Sequence, residues 1–224
     1  FTGRSGNNGR CTQPCRWKYF IHEEKRPDDV ISAEQDANGT YIFSGKDMCM
    51  IEHIDKLAEA GVTSLKIEGR AKSAYYVAVV TNAYRMAVDE YYKNPDNFIL
   101  PDWIKDEVYK VSHRKYSNGF FFGRPQESQY YENSGYIRNY DVVAVVEDCR
   151  DGRVYCTQRN RFFAGDTVEL LAPLSKPVTL KLDTLYNEND ESIETANHAM
   201  MKFSFPCDIT FPKGTVIRKD LREN

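Results

Sequence analysis

The motifs that most readily identify an enzyme class are missing from this 224-residue sequence. It has no Walker phosphate loop, no GxGxxG dinucleotide fingerprint and no GxSxG nucleophile elbow. Its four histidines are scattered and include no HExxH pair that would bind zinc. The formal net charge is only −3, so there is no global basic field, and nucleic-acid binding would require a local cationic patch.

Signals for membranes and for secretion are also absent from the sequence. No run of about 18 apolar residues, the length that a transmembrane helix needs, occurs in it. Six cysteines without a signal peptide indicate reduced thiols or metal ligands rather than a disulfide framework. With 41% hydrophobic and 28% charged residues, the sequence predicts a globular, cytoplasmic protein with one large domain or two small ones.

The first ten residues, FTGRSGNNGR, contain three glycines, two asparagines and two arginines. This composition predicts a loop that can bring backbone amides and guanidinium groups close to an anion. A chain that starts at Phe1 inside such a loop is expected to be the C-terminal fragment of a longer protein.

Strand and helix patterns alternate in the next part of the chain. Short apolar runs at 41–44 and 62–67 predict strands, and helically spaced apolar residues over 47–60 and 72–93 predict helices. Gly61 is expected to end the first helix as its C′ glycine. The β-α-β-α order is typical of a parallel sheet with right-handed crossovers. Because an α/β barrel needs about eight such pairs, the others are expected upstream.

Charged residues cluster where the second predicted strand ends. Glu68 lies on its polar face, and Arg70 and Lys72 follow directly after Gly69. In parallel sheets the carboxyl ends of the strands carry the chemistry, because loops and helix N-termini converge there. The sequence therefore predicts a functional site at these three charged residues. The alternative is a salt-bridged strand end without a ligand.

The character of the sequence changes after residue 114. Pro101 begins one more amphipathic helix, which is expected to end near Arg114. Beyond it, β-rich runs separated by turn signals predict a small antiparallel barrel or sandwich. The predicted strands are 120–122, 140–146, 153–158, 167–171, 178–182, 201–205 and 215–218. We therefore predict an α/β domain over residues 1–114 and an all-β domain over residues 115–224.

Two cysteines near the N-terminus form a CxxxC pair. They are Cys11 and Cys15, and the positive charge of the adjacent Arg16 favours the thiolates that metals need. Two cysteines do not complete a zinc or iron–sulfur site, which takes four ligands. From the residues alone, metal ligation and incidental cysteines stay open as alternatives. The other four cysteines lack metal-like spacing and are interpreted as core or strand residues.

Three segments stand in a distinctive order over the first 90 residues. They are GRSGNNGRCTQPCRWKY, SGKDMCMIEHIDKLAEAGV and SLKIEGRAKSAYYVAVVTNAYRMAVD. In this order they resemble the peptidase U32 family, particularly its branch of collagenase-like proteases and prephenate-dependent tRNA uridine hydroxylation proteins. The β-rich remainder is similar to the C-terminal barrel of longer U32 members, with FAGDTVE at 163–169 similar to elongation-factor-like barrels. The resemblance implies the last strands and helices of an α/β (TIM-like) barrel, followed by a small antiparallel β-barrel.

The hydroxylation branch of the family also implies a cofactor and a substrate. Its four cysteines are taken to hold an iron–sulfur cluster; two would lie upstream of this chain, and Cys11 and Cys15 match the other two. The fragment alone is then expected to be unable to build the site. The residues carried over contain no nucleophile–base pair, so Glu68, Arg70 and Lys72 resemble an anion clamp for the carboxylates of prephenate or for RNA phosphate.

Other basic and aromatic residues are expected to extend the binding surface. Arg4, Arg10 and Arg16 would add to the positive rim of the clamp. Tyr75 would stack on a base or an aromatic ring, with a core position as the alternative for an aromatic residue at helical spacing. On the β-barrel, a group of basic residues would contact tRNA, although scattered surface cations are the alternative. The group consists of Arg159, Arg161, Lys202 and Lys213.

Three functions stay open from the sequence. The leading hypothesis is that the intact protein helps to hydroxylate the wobble uridine of tRNA, using prephenate and an iron–sulfur centre. The family label instead indicates a collagenase-like peptidase acting on a peptide or collagen-like substrate, with zinc as the alternative metal. In the third hypothesis, residues 115–224 are a non-catalytic RNA-binding or lid module. The sequence does not determine the oligomeric state.

Overall fold

The computed structural model describes residues 46–123 and 136–222 of the chain. In the N-terminal region it also describes a few separate positions, which are residues 4, 10, 12, 34–36 and 39–41. The chain divides into two compact units, one of residues 1–50 with 113–137 and one of residues 51–112 with 138–224. The predicted division into consecutive domains at residue 114 stays a prediction.

Two small strand pairs belong to the first unit. An antiparallel hairpin joins β1, Glu34–Asp36, to β2, Gly39–Tyr41. A parallel pair joins β3, Asp47–Met48, to β4, Tyr116–Ser117. Of the strand predicted at 41–44, the structure describes only Tyr41. This residue is the last of β2, so it ends the antiparallel hairpin rather than beginning a parallel strand.

The helix predicted over 47–60 is wrong in its first half, because Asp47 belongs to a strand. Its carboxylate accepts a hydrogen bond from the backbone N–H of Arg114 at 3.0 Å and binds the guanidinium at 2.9 Å. This tertiary ion pair leaves Asp47 unable to cap a helix. A 3₁₀ turn, Ile51–His53, follows, and helix α1 runs over Ile54–Glu59.

Gly61 ends α1, as the sequence predicts. Its φ is +80°, its N–H donates to the carbonyl of Ala58 at 2.9 Å, and the N–H of Val62 donates to the carbonyl of Leu57 at 3.0 Å. These two bonds form the Schellman arrangement, which glycine adopts without steric cost. The strand predicted at 62–67 is not formed, since this segment has no strand partner in the described part of the chain.

Helix α2, Ala74–Lys93, agrees closely with the helix predicted over 72–93. Ser73 caps its N-terminus, because the Ser73 hydroxyl accepts a hydrogen bond from the N–H of Tyr76 at 3.2 Å. The apolar residues at helical spacing form one buried face, as the sequence predicts. This face consists of Val79, Val80, Ala83, Met86 and Ala87.

An antiparallel sheet dominates the second unit. Its strands and their companions are β5 Tyr140–Arg150, β6 Arg153–Gln158, β7 Phe162–Phe163, β8 Thr167–Leu171, β9 Val178–Lys181, β10 Leu185–Tyr186, β11 Ser192–Ile193, β12 Thr195–Ala196, β13 Lys202–Pro206 and β14 Val216–Asp220. Eight of them are ordered β11-β10-β13-β6-β5-β14-β8-β9, and β7 pairs with β12. The edge strands β11 and β9 do not pair with each other among the described strands, so the sheet is open.

Six of the seven predicted strands of this region are confirmed, with boundaries that differ by a few residues. The strand predicted at 120–122 is wrong, because these three phenylalanines lie in turns. They are bracketed by Gly119 and Gly123, whose φ angles of +57° and +110° break an extended chain. Asp151 and Gly152 connect β5 to β6. Both residues have positive φ, as a tight β-hairpin connection requires.

The helices pack on the sheet within the second unit. Val79 and Val80 of α2 share a small buried cluster with Val111 and with Leu171 of β8. Helix α3, Asp102–Glu107, is shorter than predicted, because turns that approach the sheet replace it after residue 107. Among the described helices, none combines the length and the apolar character that crossing a membrane demands.

Candidate functional site

The predicted charged cluster forms the tight corner that leads into α2. The Glu68 carboxylate accepts a hydrogen bond from the backbone N–H of Arg70 at 2.8 Å. The N–H of Lys72 donates to the carbonyl of Gly69 at 2.9 Å and closes the turn. Glu68 and Arg70 are exposed, whereas Lys72 is half-buried. The corner therefore brings one carboxylate and two cations next to the N-terminus of a 20-residue helix.

Gly69 is required in this corner by a close contact. A Cβ atom at this position would lie 2.7 Å from Cγ2 of Val77, on the first turn of α2. The sequence predicts a glycine that helps the chain to turn, but its φ is not positive. The absence of a side chain, rather than an unusual backbone angle, lets residues 68–72 fold back onto the helix.

Lys72 links the corner to the segment that follows α3. Its ammonium donates a hydrogen bond to the carbonyl of Ser112 at 2.9 Å and lies 4.9 Å from the centre of the Tyr76 ring. A cation over an aromatic face is stabilised by the ring quadrupole. The Lys72 charge is therefore held in a fixed position beside the helix N-terminus, where an anion would also be favoured.

Behind the corner lies a buried ionic network that the sequence did not reveal. Arg218 of β14 is fully buried and makes a bidentate pair with Glu107 of α3, with distances of 2.6 and 2.7 Å. It also binds Glu169 of β8 at 2.6 Å. Lys110 reaches Glu169 at 2.9 Å and Glu107 at 3.3 Å. Two cations thus balance two carboxylates, which is how buried charges are stabilised.

The pKa values within the network follow from its geometry. Burial alone would lower the pKa of Arg218, but the hydrogen bonds that it donates to Glu107 and the neighbouring negative charges raise it overall. Burial would raise the pKa of Glu169, but the charge of Arg218 and the hydrogen bond from Lys110 lower it overall. Both residues therefore stay charged throughout the physiological range.

Tyr75, predicted to stack on a substrate, is instead attached to this network through its hydroxyl. The hydroxyl donates to the carbonyl of Lys110 at 2.9 Å and lies 3.4 Å from a guanidinium nitrogen of Arg218. Burial raises the pKa of Tyr75 to about 12. Because Tyr75 is in the first turn of α2, it connects the corner at Glu68 to the ionic network.

The N-terminal part of the predicted site is only partly described. Arg4 and Arg10 are exposed. Arg16, Cys11 and Cys15 lie outside the described residues. The predicted positive rim and the predicted cysteine ligands therefore stay predictions.

The described cysteines do not fit a metal cluster. The Cys149 thiol donates a hydrogen bond to the carbonyl of Phe211 at 3.4 Å and accepts one from the Phe211 N–H at 3.3 Å. The sulfur of Cys207 accepts a hydrogen bond from the N–H of Ile209 at 3.4 Å. Burial raises the pKa of the Cys156 thiol well above its ordinary value and opposes thiolate formation. Over residues 46–123 and 136–222, no three cysteine, histidine or acidic side chains are grouped to hold a metal ion.

The basic residues predicted on the β region fall into two classes. Lys202 and Lys213 have carboxylate partners, Glu188 at 3.7 Å and Glu147 at 3.1 Å. Arg159 and Arg161 occupy the β6–β7 connection, where they contact a methionine and a phenylalanine. Two of the four charges are therefore compensated by carboxylates.

An apolar cavity of about 300 Å³ opens beside segment 62–67, which has no strand partner in the described part of the chain. It is lined by residues of α1 and α2 and by Val62 and Leu65, which are 43% and 38% exposed. Exposed apolar side chains next to unpaired backbone form a surface that could accept another strand.

The chain matches two families in adjacent regions. Residues 1–130 match Peptidase family U32, and residues 138–218 match the Peptidase family U32 C-terminal domain. One solved structure, the C-terminal domain of a Geobacillus thermoleovorans protein described as a U32 peptidase, aligns with a TM-score of 0.34 and 22% identity. It covers 35% of this chain and 99% of that domain.

Curated relatives with two kinds of name are similar to this chain. "tRNA hydroxylation protein P1" of Bacillus subtilis is 34% identical over 97% of this chain and 52% of its own length. "tRNA hydroxylation protein P" of Escherichia coli is 27% identical over 86% of this chain and 51% of its own length. "Collagenase" of Porphyromonas gingivalis is 33% identical over 54% of this chain and 28% of its own length. The chain thus spans about half the length of the tRNA hydroxylation relatives, and it belongs to peptidase family U32.

Proposed function

We propose that the whole protein takes part in the hydroxylation of tRNA, at the wobble uridine. The observation that carries this proposal is the similarity to the Bacillus subtilis tRNA hydroxylation protein, which extends over 97% of the chain and includes both U32 regions. The match to the collagenase covers only 54% of the chain. The relative that shares both regions is the better guide to function, and a cytoplasmic location belongs to the same proposal.

In this proposal the corner before α2 binds an anionic group of the substrate. Arg70 offers a planar guanidinium that can bind a carboxylate or phosphate with two hydrogen bonds, and Lys72 adds a point charge. The hydroxyl-capped N-terminus of α2 contributes its positive dipole end to the same place. Glu68 shapes the turn through the Arg70 N–H. The two carboxylates of prephenate are the anions we propose for this corner, with RNA phosphate as the other choice.

Two further elements of the proposal concern the longer protein. Residues 62–67 would be a strand of an α/β (TIM-like) barrel whose other strands come from further sequence, consistent with the relatives' twofold greater length. Cys11 and Cys15 would contribute two ligands to an iron–sulfur cluster. Such a cluster supplies electron-transfer or Lewis-acid chemistry when it is bound.

A second candidate function is peptide hydrolysis, which the similarity to the collagenase favours over its matched residues. Zinc would then replace the iron–sulfur cluster, and Glu68 would act on the scissile peptide. Under this alternative, a collagen-like substrate would be cleaved by the unsubstituted full-length protein and would remain intact with Glu68→Gln.

The experiment that separates the two functions starts from a strain that lacks the full-length gene. Mass spectrometry of its tRNA should show loss of the hydroxylated wobble uridine, and the unsubstituted gene should restore it. Arg70→Ala should restore at most a tenth of the modification, whereas Arg85→Ala on the exposed face of α2 should restore it fully. Normal hydroxyuridine in the deletion strain, with every related gene also deleted, would rule out the proposed function.

A further inference from the structure

Most arginines of the β region have a carboxylate partner. The pairs are Arg138 with Asp141, Arg150 with Asp148, Arg153 with Asp190, Arg218 with Glu107 and Glu169, and Arg222 with Asp220. Arg159 and Arg161 are different, because neither makes an ion pair with a carboxylate in the described part of the chain. These two guanidinium groups are two positions apart on one exposed connection, between β6 and β7.

Both arginines lie against exposed apolar side chains. A guanidinium nitrogen of Arg159 contacts the sulfur of Met200 at 2.8 Å, and the guanidinium carbon of Arg161 lies 5.5 Å from the centre of the Phe163 ring. Met200 is 61% exposed and Phe163 is 45% exposed. We call these four residues the arginine–aromatic surface. It combines unpaired positive charge with an open ring and a polarisable sulfur.

The fold holds the arginine–aromatic surface in a defined position. The N–H of Arg159 donates to the carbonyl of Val143 at 2.8 Å, which fixes the start of the β6–β7 connection to β5. The adjacent Gln158 fixes the loop that carries Met200, between β12 and β13. Its N–H donates to the carbonyl of Met201 at 2.8 Å, and its side-chain amide donates to the carbonyl of Ala196 at 3.4 Å. The two loops that carry the surface are therefore attached to the same strand end.

The carboxylate of Glu147, near Arg159, already has hydrogen-bond partners. Glu147 has a lowered pKa, mainly because Lys213 and then Thr157 hydrogen-bond to its carboxylate, with Arg159 making only a small contribution. The Lys213 ammonium lies 3.1 Å from this carboxylate, and the Thr157 hydroxyl also lies at 3.1 Å. Glu147 consequently does not neutralise Arg159, and the arginine–aromatic surface keeps its positive charge.

We propose that the arginine–aromatic surface binds a single-stranded segment of RNA. Arginine forks bind phosphate oxygens with two hydrogen bonds, and an exposed aromatic ring stacks on an unpaired base. An acidic peptide would use the charges but would gain little from the ring and the sulfur, so RNA fits the whole set better. The inference rests on the proposed function, since it names the part of the chain that would hold the tRNA.

The test measures binding of a fluorescein-labelled anticodon stem-loop transcript to the 224-residue chain at several salt concentrations. Replacing both arginines, Arg159→Ala with Arg161→Ala, should weaken binding at least tenfold. It should also reduce the salt dependence, the slope of log K against log salt, by about 1.4, because each contact to single-stranded phosphate contributes about 0.7. Phe163→Ala should weaken binding several-fold and leave the slope unchanged, since stacking is not ionic.

The matched control removes the same charge from paired arginines. Arg138→Ala with Arg150→Ala takes away two exposed guanidinium groups that already have carboxylate partners. This control should bind within about twofold of the unsubstituted chain, as exposed ion pairs contribute little. Equal losses in both double variants, no loss in either, or no RNA binding by the unsubstituted chain would overturn the inference. Equal competition by polyglutamate would also overturn it, since charge alone would then explain binding.

The inference and the proposed function can fail separately. The full-length protein carrying the two alanines is expressed in the deletion strain, and tRNA hydroxylation is measured beside the binding assay. If the unsubstituted gene restores hydroxylation and the double variant binds RNA normally, only the inference is wrong. If the double variant loses RNA binding but deletion of the gene leaves hydroxylation intact, only the proposed function is wrong.

Discussion

In the second unit, the sheet region and the helical region differ in the hydrogen-bond partners that they provide for their backbone groups. Every strand of the sheet, residues 140–220, has an antiparallel neighbour, and its core contains fully buried residues such as Leu170 and Leu185. In the helical region, 51–112, the extended segment 62–67 has no strand partner among the described residues and leaves Val62 and Leu65 exposed. A segment in which apolar and polar residues alternate becomes a strand only where a neighbouring strand supplies the backbone hydrogen bonds.

The two regions meet at the ionic network rather than through apolar contacts alone. Arg218 comes from the sheet and Glu107 from α3, and both are fully buried. Desolvating such charges is costly, and the cost is offset only while all partners are present. The network therefore fixes the alignment of the helices on the sheet, and with it the position of the corner before α2.

The largest effect is expected from breaking this link. Arg218→Met should lower the free energy of unfolding by about 3–5 kcal/mol, because Glu107 would remain buried without its partner. Urea denaturation measures the change. Arg138→Ala, which removes an exposed and ion-paired guanidinium, is the control and should leave the unfolding midpoint nearly unchanged. A loss for Arg218→Met as small as that of the control would show that the network does not hold the two regions together.

The next effect compares a leucine from each region. Leu170→Ala should lower the free energy of unfolding by about 2–5 kcal/mol, since it removes a fully buried side chain and leaves a cavity in the sheet core. Leu65→Ala should cost less than about 1 kcal/mol, because Leu65 is 38% exposed beside an open cavity. Thermal unfolding of the two variants gives both values. Similar losses would mean that segment 62–67 is as well packed as the sheet.

A smaller effect concerns the close approach at Gly69. Gly69→Ala should destabilise the chain by about 1–2 kcal/mol, because the new Cβ would lie 2.7 Å from a methyl group of the stiff Val77 side chain. Val77→Ala in the same chain should recover most of this loss by removing that methyl group. The free energies of unfolding of the unsubstituted chain, the two single variants and the double variant, measured by denaturation, form a double-mutant cycle. If the double variant is no more stable than Gly69→Ala, the contact is not the reason for the glycine.

The sequence predicted those elements that carry a long periodic pattern. Helix α2 has five buried apolar residues at helical spacing, and β5, β6 and β8 are β-rich runs set apart by turn signals. The two-residue strands β3, β4, β7, β10, β11 and β12 were missed, because two residues show no period.

The candidate site could be predicted only where its residues are neighbours in the sequence. Glu68, Arg70 and Lys72 are such neighbours, and they do form one corner. The partners of Arg218 are 49 and 111 positions away, so no local pattern could reveal the ionic network. The strand β14 reads VIRKD, and alternation places Arg218 on the face opposite the buried Ile217, so the sequence alone would have assigned it to solvent.

The smallest expected effect at neutral pH tests how Tyr75 joins α2 to the ionic network. Tyr75→Phe should cost about 1 kcal/mol, since the carbonyl of Lys110 would lose its hydroxyl donor. The same variant has a distinct signature at high pH. Burial raises the pKa of Tyr75 from 10.0 to about 12 in the folded chain, so its stabilising contribution is complete below pH 10 and is lost as the pH rises through 12.

Phenolate absorbance should separate this residue from the other tyrosines. Tyr140 also has a pKa raised by burial and by Glu169, so it too is expected to ionise late. Tyr75→Phe should remove one late equivalent from the titration of the unsubstituted chain. An unchanged late titration in Tyr75→Phe would mean that its hydroxyl is open to water. The corner before α2 would then not be connected to the ionic network through the hydroxyl of Tyr75, and the ion pairs of Arg218 with Glu107 and of Lys110 with Glu169 would link the helices to the sheet without it.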